Sequence, residues 1–331
     1  MSITRKPAHA PSNAPRTSDP TAAAPKHKAT RAKTAAEPSP ETFSPTAPKQ
    51  LVTLDVPQPL SSDDVNITGT GAGWVDPAAA SADGSPPVRR YAGPLFRDGP
   101  SASDVQQGQL GDCYFAAALA GLAAINPSAV ERLIQPTGDG SVSVTFYERD
   151  VVTGQYRPVV IHVDPELYQS RWGGGPLYGR APGRGDQMEL WFPLVEKAWA
   201  TWKGGYEQAG RGGTQNQVFS AVLGRNASWL EFNSATPDGV WGTMQATLQA
   251  GLPLGAATAS RDDGRYANSG VHANHGYTVL SANVENGQRV VTLRNPWGSG
   301  EPRGDGVDDG VFTLPFNDFL RLYEQVQFPL I

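Results

Sequence analysis

Few residues in this chain are equipped for covalent chemistry. The 331 residues include one cysteine, Cys113, within "QGQLGDCYFAAALAGLAAINP" (Gln107–Pro127). A single thiol excludes an intrachain disulfide and a cysteine zinc cluster, which needs two or more. The Ala/Leu run after Cys113 predicts a helix. Asp112 is placed as its N-cap, and Pro127 ends it at Asn126. The thiol then lies in the first turn, where unpaired N–H groups and the helix dipole favour negative charge. A free thiol with a pKa of about 8.5 is mostly protonated near neutrality, and such a setting lowers that value. The competing reading is a small buried hydrophobe.

A cysteine nucleophile needs a base, and the base needs an orienting group. Of five histidines, His9 and His27 lie in a stretch that cannot fold, and His162 sits in the alternating run "VVIHVD". His272 and His275 remain. His275 directly precedes the strand-like "GYTVLSANV", and Asn295 directly follows "QRVVTLR". A hairpin about Asn286-Gly287 brings these ends to one sheet edge. Uninterrupted pairing puts Asn295 opposite Thr278, about 10 Å short of His275 along the strand. A bulge or a neighbouring strand end has to close that gap. His272 is placed in a loop.

The elements that must position these groups begin well into the chain. Residues 1–50 hold nine prolines and no Trp, Tyr or Leu, and carry eight Lys/Arg against three Asp/Glu, about +5. The remainder, 19 against 29, is about −10. Such a start cannot bury enough apolar area to offset ordering entropy, so 1–88 is assigned as a disordered Pro/Ala/Ser-rich tail, basic at its start. The acidic body argues against a nucleic-acid surface. No stretch approaches the roughly 20 apolar residues of a membrane span, and no apolar secretory segment opens the chain. A cytoplasmic location, or export without an ordinary signal, is expected. Runs at Ser141–Asp150 and Tyr156–Asp164 predict strands. "ELWFPLVEKAWATWKG" has helical spacing, and the chain from about Asn226 is strand-rich. Two Arg-Gly-Asp triplets, Arg184–Asp186 and Arg303–Asp305, are taken as ordinary loops.

Several segments together carry a resemblance. "DVQQGQLGDCYFAAALAGLA" is similar to the active-site segment of the calpain family of papain-like cysteine proteases. "HGYTVL" and "LRNPWG" resemble that family's His and Asn segments. "ELWFPLVEKAWATWKGGYE" and "DDGVFTLPFNDFLRLYEQV" resemble two further blocks of its core. The resemblance covers roughly residues 90–331 and implies an α+β, two-lobed papain-like fold after the tail. A helical Cys lobe would span 89–212, and an antiparallel β His/Asn lobe 213–331. It implies a cysteine endopeptidase acting on protein or peptide substrates. Cys113 would be nucleophile, His275 base and then acid, Asn295 the orienting group, Gln107 the oxyanion donor, and Trp297 the shield over the His–Asn contact. Neither EF-hand nor accessory β-sandwich modules are expected, nor any organic cofactor. Calcium is implied through Asp104, Glu189 and the carbonyls of Arg97 and Gly99. A second set, Glu301 and Asp309, matches poorly because Val311 replaces an acidic ligand, so at most one well-formed site is expected. The plain alternative is that these acids are solvated or paired with Arg. Two rival functions remain: acyl transfer to an amine, as in transglutaminase-like enzymes, and a non-catalytic binding module on the same fold.

Overall fold

The computed structural model describes residues 66–67, 76–171, 174–183, 187–302 and 306–331. Most of the segment assigned as tail, 1–65 and 68–75, lies outside the described residues, as do both Arg-Gly-Asp triplets. Two short strands, β1 (Asn66–Ile67) and β2 (Val88–Arg90), precede helix α1 (Cys113–Ile125). Then come α2 (Pro127–Leu133), β3 (Ile134–Pro136), β4 (Val142–Arg149), β5 (Tyr156–Val163) and β6 (Glu166–Tyr168). Helices α3 (Trp191–Lys203), α4 (Tyr206–Ala209) and α5 (Gln215–Leu223) follow. The chain continues through β7 (Ala227–Glu231), α6 (Pro237–Gln249), β8 (Leu254–Thr258), β9 (Gly276–Glu285) and β10 (Gln288–Arg294). It closes with β11 (Val311–Pro315), α7 (Phe316–Leu322) and β12 (Tyr323–Pro329). The mixture of helix and sheet is the expected α+β class.

Two sheets organise the molecule. Strands β1-β5-β4-β3 form one, and β11-β10-β9-β8-β12-β7 the other, every pair in the second being antiparallel. Two buried apolar clusters match them. One gathers Phe115, Phe146, Trp199 and Phe219; the other gathers Met244, Tyr277, Phe319 and Tyr323. In the first, Trp199 stacks on Phe115 with ring centroids 4.8 Å apart and takes Phe146 edge-on at 5.4 Å.

Helix α1 belongs to the first cluster and packs against β9 of the second sheet. Its Ala116, Ala117, Ala118 and Ala120 are all buried, and such small side chains let packing approach from every side. Thr278 Oγ1 of β9 donates to Ala117 O at 2.6 Å. At Gly121 a side chain would already touch Thr278 Cγ2 and Pro253. Helix α1, which begins at Cys113, is thus wedged against the sheet containing β9, whose first residue follows His275.

Residues 76–88, assigned to the tail from sequence, are anchored. Lys197 of α3, almost fully buried, pairs with Asp76 at 2.5 Å and Asp164 at 2.6 Å, and donates to Glu166 O. Ala80 N donates to Tyr178 Oη, which donates to Asp83. Composition hid this strap because Pro/Ala-rich chain can be held by backbone bonds and a single ion pair.

Candidate active site

Asp112 is the N-cap residue of α1, but not in the expected manner. Its carbonyl accepts from Phe115 N at 2.8 Å and Ala116 N at 3.1 Å, while its side chain makes no capping bond and is fully buried. At the far end, Asn126 stops α1 as expected and caps α2 through Ala129 N. Cys113 is half-buried in the first turn. Burial pushes its thiol up and the neighbouring Asp112 adds to this, while the Gly276 N–H favours the thiolate. The lowering expected from helix position is therefore outweighed at rest, because desolvation exceeds the effect of one helix end.

On the other side, β9 and β10 pair through the turn at Asn286-Gly287 as expected, with Gln288 opposite Glu285. The register shifts between Thr292 and Leu293, so Arg294 faces Thr278. This bulge brings Asn295 one residue nearer His275 than uninterrupted pairing would. His275 Nε2 lies 3.0 Å from Asn295 Oδ1, and Trp297 N–H donates to the same oxygen at 3.2 Å. An oxygen accepting from Trp297 fixes the amide orientation, with Asn295 Nδ2 turned toward Gly300 O. His275 must then donate from Nε2, leaving Nδ1 as its lone-pair nitrogen. The Trp297 ring covers the imidazole at 4.7 Å between centroids, and Tyr277 meets it edge-on at 4.9 Å. Burial lowers the His275 pKa from 6.5 to about 4, against the Asn295 hydrogen bond and with a small push from His272.

Cys113, His275, Gln107 and Trp297 line one open cavity of about 430 Å³, with Gly108–Gly111 and Gly210–Gly212 among its walls. Gln107 reaches it from the loop before α1 and donates Nε2 to Leu110 O at 2.6 Å. Its backbone N–H donates to Pro296 O, tying that loop to the Asn295 turn. His272, placed in a loop from sequence, packs against Trp297 with ring centroids 4.5 Å apart and planes tilted by 54°, an arrangement with no motif to reveal it. His162 is a strand residue in β5, paired with Ser143.

The acids expected at calcium positions fall into two groups. Asp104 and Glu189 are both buried and close enough for Asp104 to raise the Glu189 pKa, together with burial. Asp104 accepts from Ser101 N, Ser101 Oγ and Trp191 Nε1, and Glu189 accepts from Arg97 N. The Arg97 guanidinium donates instead to Gln187 O. Two buried carboxylates with no salt bridge, beside the Arg97–Gly99 loop, fit a hard cation. Glu301 and Asp309 are otherwise engaged: Glu301 accepts from Gly310 N and Asp309 from Val311 N, each closing its own loop. The Asp76/Asp164/Glu166 cluster is already served by the Lys197 ammonium.

The calpain family cysteine protease domain matches residues 87–309. The chain is 31% identical over 260 residues to the calpain-2 catalytic subunit of Gallus gallus, covering 69% of this chain and 36% of that protein. It is 31% identical over 211 residues to the calpain-type cysteine protease DEK1 of Arabidopsis thaliana, covering 61% and 9%. Against the calpain-1 catalytic subunit of Bos taurus it is 29% identical over 273 residues, 73% and 37%. It thus spans little more than a third of the calpain subunits it matches. On the extent of that domain match, the chain belongs to the calpain family of cysteine proteases.

Proposed function

We propose that the chain is a cysteine endopeptidase that hydrolyses peptide bonds of protein substrates through an acyl-enzyme on Cys113. The observation carrying this reading is the doubly accepting Asn295 Oδ1. It commits His275 to one tautomer and leaves Nδ1 as the base on the cavity that also holds the thiol. Cys113 Sγ–H passes its proton to Nδ1 as sulfur attacks the substrate carbonyl. The Cys113 N–H and the remaining N–H of Gln107 hold the developing oxyanion. The imidazolium then protonates the departing amine, and a water activated by His275 hydrolyses the thioester. With burial raising the thiol and lowering the imidazole, the resting pair is neutral, and charge separates only during attack.

In this reading the two buried clusters are the lobes of a papain-like core. The boundary falls at Gly224–Asn226 rather than at residue 212, because α5 packs into the first cluster. Asp104 and Glu189, with the carbonyls of Arg97 and Gly99, would hold calcium. A bound ion would neutralise the two carboxylates and clip the Arg97–Asp104 loop to the start of α3. Among the described residues, no helix is long and apolar enough to cross a membrane.

The test is casein cleavage with and without an epoxysuccinyl thiol inhibitor, for wild type and Cys113→Ala. Cleavage lost in both cases is the expected result. Cleavage that persists in Cys113→Ala overturns the reading. Incorporation of a primary amine without cleavage replaces hydrolysis by acyl transfer.

A further inference from the structure

Beneath the nucleophile lies a group of acids that the mechanism above does not use. Asp112, immediately before Cys113, is fully buried, and no donor reaches either of its carboxyl oxygens. Glu196, on the inner face of α3, is 1% exposed. Its Oε2 accepts from Gly179 N at 2.6 Å, and its Oε1 has no donor. The polar side chains that act on Asp112 are the Glu196 carboxyl and the Gln107 amide, whose own Oε1 is buried without a partner. Gly179 admits the Glu196 carboxyl at close quarters, since a Cβ there would lie within about 3 Å of all three carboxyl atoms.

Two ionised carboxylates in this position would place two uncompensated charges in the interior. A carboxylate is acceptor-only, so three unpaired oxygens cannot satisfy one another until a proton enters. We infer that Asp112 and Glu196 share one proton. They form a neutral-plus-charged carboxyl pair that positions the start of α1 and the Gln107 amide and divides its one negative charge between Glu196 and the residue next to the thiol. Both groups lie above the ordinary carboxylate range by burial first; Asp112 pushes Glu196 further up, while a hydrogen bond from Glu196 pulls Asp112 part of the way back. The other titratable groups facing the pair are Cys113 and Tyr114 on α1, Tyr206 on α4, and Arg180 on the loop before α3. Arg180 is the sole cation among them, and its Nε is already given to Pro176 O. These are positioning residues: neither meets substrate, and both act through Cys113 and Gln107.

The inference rests on Cys113 being the nucleophile, but its test reads the thiol directly. Measure the pH profile of Cys113 alkylation by iodoacetamide in wild type, Asp112→Asn and Glu196→Gln. Asp112→Asn leaves the charge on Glu196, away from sulfur, and the midpoint should fall by about one pH unit. Glu196→Gln forces the charge onto Asp112, and the midpoint should rise by about as much. Peptidase assays should show Glu196→Gln retaining about tenfold more kcat than Glu196→Ala, with KM little changed, because the amide still donates where the proton did. Midpoints that stay in place, or move in the same direction, overturn the inference. A readout needing neither substitution is the infrared spectrum of the intact chain at mildly alkaline pH, where every solvated carboxyl is ionised. A protonated-carboxyl band is expected, and its absence overturns the pair. Failure of casein cleavage with the opposed alkylation shifts intact would count against the peptidase reading and not against the pair.

Discussion

The two sides of the cavity are built differently. On the imidazole side nearly every polar atom is spoken for: His275 N bonds Thr258 Oγ1, Nε2 bonds Asn295, and that oxygen also takes Trp297 N–H. On the thiol side Gln107 Oε1, both Asp112 oxygens and Glu196 Oε1 lack donors. His275, the proposed base, is therefore held in place by hydrogen bonds. Cys113, the proposed nucleophile, is held by packing, and in that proposal its polar surroundings await a proton or a reacting carbonyl. Preorganisation is cheap where the backbone supplies the donors. It is costly beside a helix end that must stay free for an oxyanion.

That contrast can be broken most strongly at its centre. Cys113→Ala and His275→Ala should each abolish casein turnover to within background, whereas Asn295→Ala should leave about a tenth to a hundredth of kcat/KM, since it acts through the base. Near-normal hydrolysis by His275→Ala would remove the base assignment. Next in size, Gln107→Ala should cost about 10²–10³ in kcat, with KM moving little, if its free N–H serves the oxyanion. A change confined to KM would make it a substrate-binding residue instead. Calcium sharpens the same difference from outside the cavity. Activity titrated with Ca²⁺ against chelator should fall in chelator for wild type, and Asp104→Ala should need more metal or lose the response. Full activity in chelator, unchanged by Asp104→Ala, makes the two acids a structural pair only.

Smaller effects come from the periphery. A chain starting at Asn66, which keeps β1 on β5, should match the full chain in melting temperature, whereas one starting at Arg89 strips Asp76 from buried Lys197. Asp76→Ala alone should cost about 1–3 kcal/mol in denaturant unfolding. An Arg89 start as stable as the full chain would show the strap to be dispensable. Smallest is His272. The acid limb of kcat/KM should lie nearer pH 4 than 6.5, because burial holds His275 neutral and it is lost as a base only as pH falls through its lowered pKa. His272→Ala should lift that limb by a few tenths of a unit, since the His272 charge depresses His275. An acid limb at 6.5 in wild type would show that His275 is hydrated in solution.

Legibility from sequence followed the same division. The placement of Cys113, His275 and Asn295 was readable because each sits at a strand or helix end beside strong local signals: an alanine run, Asn286-Gly287, and Pro-Trp-Gly. The bulge between Thr292 and Leu293 was not, because neither strand breaks its apolar run with glycine or proline there. Glu196 was hidden within a helical pattern in which a glutamate beside a lysine looks solvent-facing, yet both are interior. Asp112 was identified as a cap, and the backbone half of that role holds. Its side chain turned inward, which no spacing rule encodes. The strap at 76–88 and the His272–Trp297 contact depend on partners roughly 120 and 25 residues away, where local composition carries no information.

Helix α1 is enclosed between the first buried cluster and β9 of the second sheet, and this has a bearing on self-destruction under the proposed activity. With the proposed peptidase activity each molecule would also be a substrate for its neighbours, and a segment is cut only after it has opened into an extended strand. With Ala116–Ala120 enclosed on all sides and β9 bonded to Ala117 O, α1 can open only when the molecule as a whole unfolds. Under that activity, nicks between neighbouring molecules would accumulate in exposed chain such as Val151–Thr153, where the valine side chains stand almost fully in solvent, long before they reached Cys113.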